Sequence, residues 1–185
     1  MTPPPTGGEF SIREATTPED LDAARDLILD SMEVDQGYGY QPEWHWDVDH
    51  AREIYADNSR HALFIAEHAG EILGTCAIRT GGPNVPPHPP ELGVRYADRE
   101  SVCQLVRAIT APAARRRGVA RALVTHSLEF ARGAGFRVAY LHTNANSPGA
   151  LPFWLASGAD LVRDDRDDWD SDPRFATVHF EFPLA

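Results

Sequence analysis

One short basic segment carries most of the structural information in this chain: Arg115-Arg116-Arg117-Gly118-Val119-Ala120. Before it, residues 104–110 form an apolar, β-branched run that predicts a strand, and Ala111-Pro112 ends that pattern in a turn. After it, apolar positions recur with the 3.6-residue period of a helix that has one buried face, at Val119, Leu123, Leu128 and Ala131. The basic segment is therefore predicted to be the first turn of a helix.

This predicted turn has the composition of an anion site. The N–H groups of a helix's first turn have no acceptor within the helix, and the helix dipole adds about half a positive charge there. Gly118 has no Cβ, so phosphate oxygens can approach the backbone closely, and the arginines add charge and donors. We interpret the turn as a pyrophosphate site; the alternative is a solvated arginine cluster that caps a surface helix.

The pattern Arg115-x-x-Gly118-x-Ala120 fits the Arg/Gln-x-x-Gly-x-Gly/Ala signature of the GNAT superfamily of acetyl-CoA-dependent N-acetyltransferases. Residues 105–112 resemble the family's fourth strand, and residues 140–143 resemble its fifth. Residues 147–159 are similar to the following helix, usually written Asn-x-x-Ala-x-x-Leu-Tyr-x-x-x-Gly-Phe. The order and the spacing of these segments agree with the family, so the chain resembles a GNAT acetyltransferase.

Local patterns predict the remaining elements. A first strand at residues 10–14 precedes a helix with Thr17 as N-cap and Pro18 at its first position. The other predicted elements are a polar aromatic stretch at 35–46, a helix at 48–56, a hairpin of strands 61–67 and 72–79, a long loop at 81–93, a strand at 138–143, a helix at 148–157, and closing strands near Leu161 and at 176–182.

The resemblance implies an α+β GNAT fold. Its central sheet is mixed but mostly antiparallel, with six or seven strands, about four flanking helices, and strands four and five splayed apart. Residues 1–8, rich in proline and glycine, are predicted to be a disordered tail, and residues 9–185 a single acetyltransferase domain.

Acetyl-CoA is the acyl donor that the resemblance implies. In the family the pantetheine arm lies between strands four and five and pairs with the free backbone groups of strand four. The basic turn then holds the pyrophosphate, and Asn146 or Ser147 bonds the cofactor. The predicted cofactor residues are Ile109, Thr110, Ala111, Arg115, Arg116, Arg117, Gly118, Val119, Ala120, Arg121, Asn146 and Ser147. For Ile109, core packing is the alternative role.

The catalytic residues are less well defined by the sequence. Many family members have a tyrosine that protonates the departing thiolate, whereas this chain has Trp154, which cannot act as an acid at neutral pH and is expected to pack against the pantetheine. His142 is the candidate base, because its ordinary pKa near 6.5 suits proton transfer; a structural role is the alternative. Gln104 replaces a glutamate of some relatives and cannot take a proton. A water chain or a neutral amine could replace a dedicated base.

The segment between the first two helices is expected to take part in acceptor binding, as in the family. Rings and carboxylates occur together there, a composition that suits an amine through cation–π and ionic contacts; the candidate residues are Glu33, Tyr38, Tyr40 and Trp44. A lid whose aromatic rings only pack is the alternative. The 81–93 loop could cover the same cleft or could merely stiffen a surface connection.

The global composition limits the possible partners. The net charge of −11 disfavours binding to nucleic acid or to an anionic membrane. The sequence contains no apolar run of about 18 residues, the length that spans a bilayer. Cys76 and Cys103 are expected to be buried reduced thiols, which indicates a cytoplasmic protein. The acidic run at 164–172 lacks the glycine and the glutamate of an EF-hand, so no metal site is expected.

These observations together predict an acetyl-CoA-dependent N-acetyltransferase that acts on a small amine by direct attack in a ternary complex, as a monomer or homodimer. A non-catalytic acyl-CoA-binding module and a protein-acetylating regulator are the alternatives.

Overall fold

The computed structural model describes residues 10–83, 88–167 and 176–184. Within them the strands are β1 Ser11–Glu14, β2 Ala62–His68, β3 Glu71–Thr80, β4 Val102–Thr110, β5 Val138–Asn144, β6 Asp160–Asp164 and β7 Thr177–Pro183. The α-helices are α1 Pro18–Gln36, α2 Pro42–Asp49, α3 Pro90–Arg95, α4 Val119–Gly133 and α5 Ala150–Ala156, with a π-helical turn at Arg52–Ala56 and a 3-10 turn at Pro112–Ala114.

The strands form one seven-stranded sheet in the order β1-β2-β3-β4-β5-β7-β6. Every neighbouring pair is antiparallel except β4 and β5, which are parallel. The predicted α+β class, with a mixed and mostly antiparallel sheet, is confirmed.

Helix α1 begins as its sequence predicts. Thr17 is the N-cap and its Oγ1 accepts from the backbone N of Asp20 at 3.2 Å, while Pro18 occupies the first position. Gly37, with φ of 72°, ends the helix in the left-handed conformation that glycine adopts without strain.

Two predicted elements differ from the structure. The second helix starts at Pro42, not at residue 48, so Trp44 and Trp46 are helical. The π-helical turn at Arg52–Ala56 occupies the predicted end of that helix. The predicted 81–93 loop contains the start of α3, whose Leu92 is buried; residues 84–87 lie outside the described ranges. Both differences have the same cause: a proline in the sequence suggested a loop, whereas Pro42 and Pro90 occupy the first position of a helix.

A β-bulge in β4 opens the sheet. Thr75 pairs with Ile109, but Ala77 pairs with Val106, so β4 carries one extra residue there. Arg107 lies in this bulge with φ of 56°, and Thr75 Oγ1 donates to its carbonyl at 2.8 Å. Beyond the bulge β4 no longer pairs with β5, since the two strands are in register only from Val102 to Gln104. The predicted splay of strands four and five is confirmed.

Each face of the sheet has its own core. On one face, α4 packs against a large cluster that includes Cys76, Cys103 and Trp154. On the other, α1 and the π-helical turn pack against Leu63, Ile65 and Ala77. Both cysteines are buried free thiols, as predicted, and burial raises the pKa of each to about 12. Within the described ranges, every helix is too short or too polar to cross a membrane.

Candidate active site

The space between the splayed strands is a cavity of about 810 Å³. Its walls come from β4, β5, the basic turn, α5 and the ends of α1 and α2. The predicted residues on its lining are Ile109, Thr110, Arg115, Arg116, Ala120, Ser147, His142, Trp154, Tyr38 and Trp44. Those that do not line it are Ala111, Arg117, Gly118, Val119, Arg121, Asn146, Glu33 and Tyr40. The fold thus brings both catalytic candidates, and part of the cofactor and acceptor sets, to one cavity.

The basic turn has the backbone geometry of a helix N-terminal anion site. Gly118 is the N-cap of α4 with φ of 82°, and no side chain caps the helix. The first helical hydrogen bond runs from Ala122 N to Gly118 O at 3.0 Å, so the N–H groups of Val119, Ala120 and Arg121 precede it and have no helical acceptor. These donors, in the first turn of a 15-residue helix, meet the requirement for a phosphate site.

Arg115 lies on the cavity lining, where its side chain contacts α1 and the end of β4. Its Nη2 pairs with Asp35 of α1, and its Nε donates to the carbonyl of Thr110 at 3.3 Å. Arg115 therefore joins the basic turn to the end of α1 across one side of the cavity.

The remaining cofactor candidates have distinct positions. The N–H of Ala111 donates to Leu73 O at 2.9 Å, so β3 already uses this group. Asn146 is exposed, and its N–H donates to Asn144 Oδ1 at 3.0 Å. Ser147 Oγ is buried on the cavity wall with no hydrogen-bond partner among the described residues, so it is available to a ligand.

Trp154 contributes an apolar wall. Its ring is 5% exposed and meets Phe153 edge to face at 4.9 Å and Phe182 at 6.4 Å. This environment is that of a packing residue.

His142 belongs to a chain of hydrogen-bonding groups that crosses β5 and β7. Tyr140 Oη lies 2.8 Å from His179 Nδ1 and 3.5 Å from His142 Nδ1, and His179 Nε2 lies 3.1 Å from Asp165 Oδ2. Burial, reinforced by His179 and two arginines, lowers the pKa of His142 to about 3. The imidazole is therefore neutral at pH 7, which corrects the ordinary pKa assumed from the sequence.

The same chain favours one tautomer of His142. Burial lowers the pKa of His179 despite Asp165, so its neutral ring donates from Nε2 to Asp165 and accepts from Tyr140 at Nδ1. The Tyr140 oxygen can then accept only from His142 Nδ1–H. This assignment leaves His142 Nε2 as an acceptor for a ligand.

A buried charge cluster lies on the same side of the sheet as α1 and α2, and the sequence analysis did not identify it. Asp47 is fully buried; it accepts from Tyr55 Oη at 2.5 Å and from Arg107 Nε at 3.0 Å, and pairs also with Arg107 Nη2. Burial favours the neutral carboxyl, but the charge and hydrogen bonds of Arg107, together with Arg79, outweigh it and lower the pKa of Asp47.

Arg107 thus pairs with Asp47, and its positive charge is engaged by this carboxylate. Arg79 lies on the cavity wall, hydrogen-bonded to Gln104. The signal that could have identified Arg79 is a charged residue at the end of an otherwise apolar strand.

The fold is that of solved acetyltransferases of the GNAT family. An acetyltransferase of the GNAT family from Staphylococcus aureus Mu50 matches 95% of this chain and 99% of its own, with a TM-score of 0.72 at 13% identity. YncA of Salmonella typhimurium, a putative acetyltransferase solved with acetyl-CoA, matches 96% and 95%, with a TM-score of 0.67 at 12% identity. At these identities the likeness concerns the fold alone.

Sequence comparison establishes the family. The family model described as the acetyltransferase (GNAT) family matches residues 21–159. The uncharacterized N-acetyltransferase YjgM of Escherichia coli K12 is 28% identical over 131 residues, which are 71% of this chain and 68% of that protein. The chain belongs to the GNAT acetyltransferase family, whose acyl donor is acetyl-CoA.

Proposed function

We propose that this protein is an acetyl-CoA-dependent N-acetyltransferase that acetylates the amine of a small molecule by direct attack in a ternary complex. One observation carries the proposal: a single cavity connects the basic turn before α4 with the aromatic ends of α1 and α2 through the gap between β4 and β5. Donor and acceptor can therefore meet within it.

The residues present fit the donor. Val119, Ala120 and Arg121 offer backbone N–H groups to a pyrophosphate, the unpaired edge of β4 beyond Gln104 can bond the amides of a pantetheine arm, and Ser147 Oγ is an unused buried group. Bound there, acetyl-CoA supplies an activated acetyl thioester. Trp154 and Ile109 line the arm's path as apolar wall.

His142 is proposed to orient the acceptor. Its Nε2 can accept a hydrogen bond from the attacking nitrogen and align the nitrogen lone pair. Because its pKa is about 3, the ring does not store a proton at neutral pH, so the acceptor must arrive as the neutral amine. Tyr140 and His179 are positioning residues that act through His142.

Tyr38 and Trp44 are the proposed acceptor contacts. Both line the cavity, with their rings edge to face at 5.3 Å. Glu33 and Tyr40 lie outside the lining and are not included in the proposed site. The net charge of −11 and the two buried thiols support the further proposal of a cytoplasmic enzyme that binds neither nucleic acid nor membrane.

Calorimetry and an acetylation assay test the proposal together. Titrating acetyl-CoA into the folded protein should give one site per chain, and a panel of small amines should release thiol from acetyl-CoA. Binding without thiol release for any amine would support the acyl-CoA-binding module, which Trp154 and Gln104 favour because neither side chain can exchange a proton at neutral pH. Absence of binding to folded protein would exclude both functions.

A further inference from the structure

Two buried side chains on the cavity wall carry unused hydrogen-bond donors. Arg79 Nη1 and Gln104 Nε2 are buried and have no hydrogen-bond partner among the described residues. The Arg79 side chain is 9% exposed and Gln104 is 1% exposed. Buried donors are almost always paired, so two orphans on one cavity wall indicate a ligand that supplies acceptors.

The sheet places these two side chains where the cavity ends. Arg79 pairs with Gln104 across β3 and β4, and Gln104 pairs with Tyr140 across β4 and β5. This is the last row before β4 and β5 separate, and residues directly opposite one another project from the same face of a sheet. His142, two residues beyond Tyr140, projects from that face too.

The orientation of both side chains is held by mutual contacts. Gln104 Oε1 accepts from Arg79 Nε at 3.3 Å and from Arg79 Nη2 at 3.0 Å. Because Oε1 of the Gln104 amide already accepts from Arg79, Nε2 is the amide group that can still donate a hydrogen bond. The ring of Trp46 lies 5.3 Å from the Arg79 guanidinium, a cation–π contact that also holds the side chain.

The charges around Arg79 do not balance. Arg79 is a buried cation and Arg107 is a largely buried one, with 11% of its side chain exposed, and among the described residues Asp47 is the buried carboxylate between them. Asp47 bonds Arg107 directly, whereas its Oδ2 lies 3.9 Å from Arg79 Nη1, beyond hydrogen-bond distance. A neutral His142 adds no charge.

Among the described residues, the other carboxylates near this wall are engaged elsewhere, and Asp35 of the cavity lining pairs with Arg115. Asp165 pairs with Arg163 and His179, and Glu181 pairs with Arg95. Within the described ranges the two arginines therefore share one carboxylate, so the wall keeps one positive charge in excess, a costly arrangement in a buried site unless a ligand anion offsets it.

We infer that the acceptor is an amino acid or a similar amino carboxylate, whose carboxylate binds Arg79 and whose amine faces His142 and the acetyl group. This inference rests on the proposed function and adds the substrate class. Gln104 Nε2 supplies a second, neutral donor to the same molecule. A carboxylate fits because a guanidinium N–H and an amide N–H together favour a small planar anion. The cavity must also hold the pantetheine arm, so the amino carboxylate shares its volume of about 810 Å³ with that arm.

Matched acceptors test the carboxylate directly. Each of the standard amino acids, with β-alanine and 4-aminobutyrate, is compared with its carboxamide and with the amine that lacks the carboxyl group, and kcat/KM is measured by thiol release. For the preferred amino acid we expect a kcat/KM on the order of 100-fold above those of its amide and amine, as for the loss of a charged hydrogen bond in a buried site. Equal values for the three compounds would overturn the inference.

Two variants test the residues. Gln104→Glu places a carboxylate against Arg79 without a change in volume, and Arg79→Met removes the cation. Both should reduce the acid-to-amine ratio of kcat/KM towards 1, mainly through KM. Arg52→Met, an exposed arginine outside the cavity, is the matched control and should keep the ratio of the parent protein. A ratio that persists in Gln104→Glu contradicts the assignment, even if Arg79→Met fails to fold.

A readout without turnover separates this inference from the proposed function. The NMR signal of the Arg79 Nε–Hε group, identified by its absence in folded Arg79→Met or by chemical-shift assignment, is followed with CoA bound. It should shift with an amino acid and not with the corresponding amine. No shift with any amino acid overturns the inference, whether or not acetylation is observed, whereas failure to bind acetyl-CoA in calorimetry refutes the proposed function instead.

Discussion

Gly118 controls the direction of three backbone donors through one torsion angle. Its φ of 82° lies in the region that L-residues with a Cβ adopt only with strain, although a Cβ there would meet no atom within 4 Å. Gly118→Ala should therefore lower the free energy of unfolding by about 1 kcal/mol. Relief of the strain would turn the Val119 and Ala120 amides, so the Kd for acetyl-CoA should rise roughly tenfold, as for one lost charged hydrogen bond. Denaturant titration and calorimetry measure the two effects.

The same helix offers a control for this substitution. Gly133, the last residue of α4, has an ordinary φ and also meets no atom within 4 Å. Gly133→Ala should stabilise the protein by about 0.5 kcal/mol and leave acetyl-CoA binding unchanged, because alanine is the better helix former. Equal Kd values for the two variants would show that the turn does not bind the pyrophosphate.

His142 should influence the rate without setting its pH dependence. With a pKa of about 3, the ring stays neutral from pH 5 to 9 in the free protein. The rise of kcat/KM with pH should then follow deprotonation of the acceptor amine. His142→Gln should lower kcat about tenfold or more, within the usual effect of a group that orients a reacting atom, and leave the midpoint of the pH profile in place. A midpoint that moves with the substitution would assign the titration to His142.

At the scale of residues, the sequence predicts those side chains and glycines that act on neighbouring backbone groups. Thr17 and Gly118 were identified because an N-cap and a glycine turn are local signals. The Arg79 and Asp47 cluster was not, since its members lie on β3, β4 and α2 and only the bulge in β4 brings Arg107 to Asp47. The pKa of His142 depends likewise on residues distant in the chain.

At the scale of elements, Asp47 anchors α2 to the bulge of β4. Replacing it by alanine leaves Arg107, and the nearby Arg79, buried without their carboxylate. Asp47→Ala should cost about 3 to 5 kcal/mol of stability, the usual result of removing one partner from a buried ion pair. Chemical denaturation measures it.

Asp49 lies two residues further along α2 and serves as the comparison. It pairs with Arg25 at 3.0 Å and accepts from Tyr40, at the surface. Asp49→Ala should cost no more than about 1 kcal/mol, because solvent screens surface pairs. Similar losses for the two aspartates would contradict the structural role given to the Asp47 cluster.

The elements themselves were predicted wherever their period was long and unbroken. Helix α4 and the β2–β3 hairpin match the sequence patterns closely. Helix α2 was placed too late because its first turn, from Pro42, is rich in aromatic residues that suggested an acceptor loop. These rings are held by tertiary packing, including the stacking of Tyr38 on His45 at 6.5 Å, which no local pattern reports.

For the whole molecule, the topology and the splay of β4 and β5 were predictable because the family motifs occur in order along the chain. The polarity of the cavity was not predictable. The negative net charge of the chain suits a neutral or cationic partner, yet the cavity wall carries an excess of positive charge at Arg79 and at the basic turn. Net charge describes the surface as a whole, whereas a site depends on the few groups that the fold buries together.

Burial of neutral histidines makes the stability of the whole molecule depend on pH. Burial lowers the pKa of His45, His61, His142 and His179, so between pH 6.5 and about 3 the unfolded chain binds more protons than the folded one. Stability should therefore be greatest above pH 6.5 and fall as the pH decreases through this range. Guanidinium midpoints at pH 7.5, 6.0 and 5.0 should decrease in that order. His142→Gln should make the guanidinium midpoint less dependent on pH. His50 is exposed, so His50→Gln serves as the control and should leave the pH dependence unchanged. A midpoint independent of pH in the parent protein would mean that these rings are solvated.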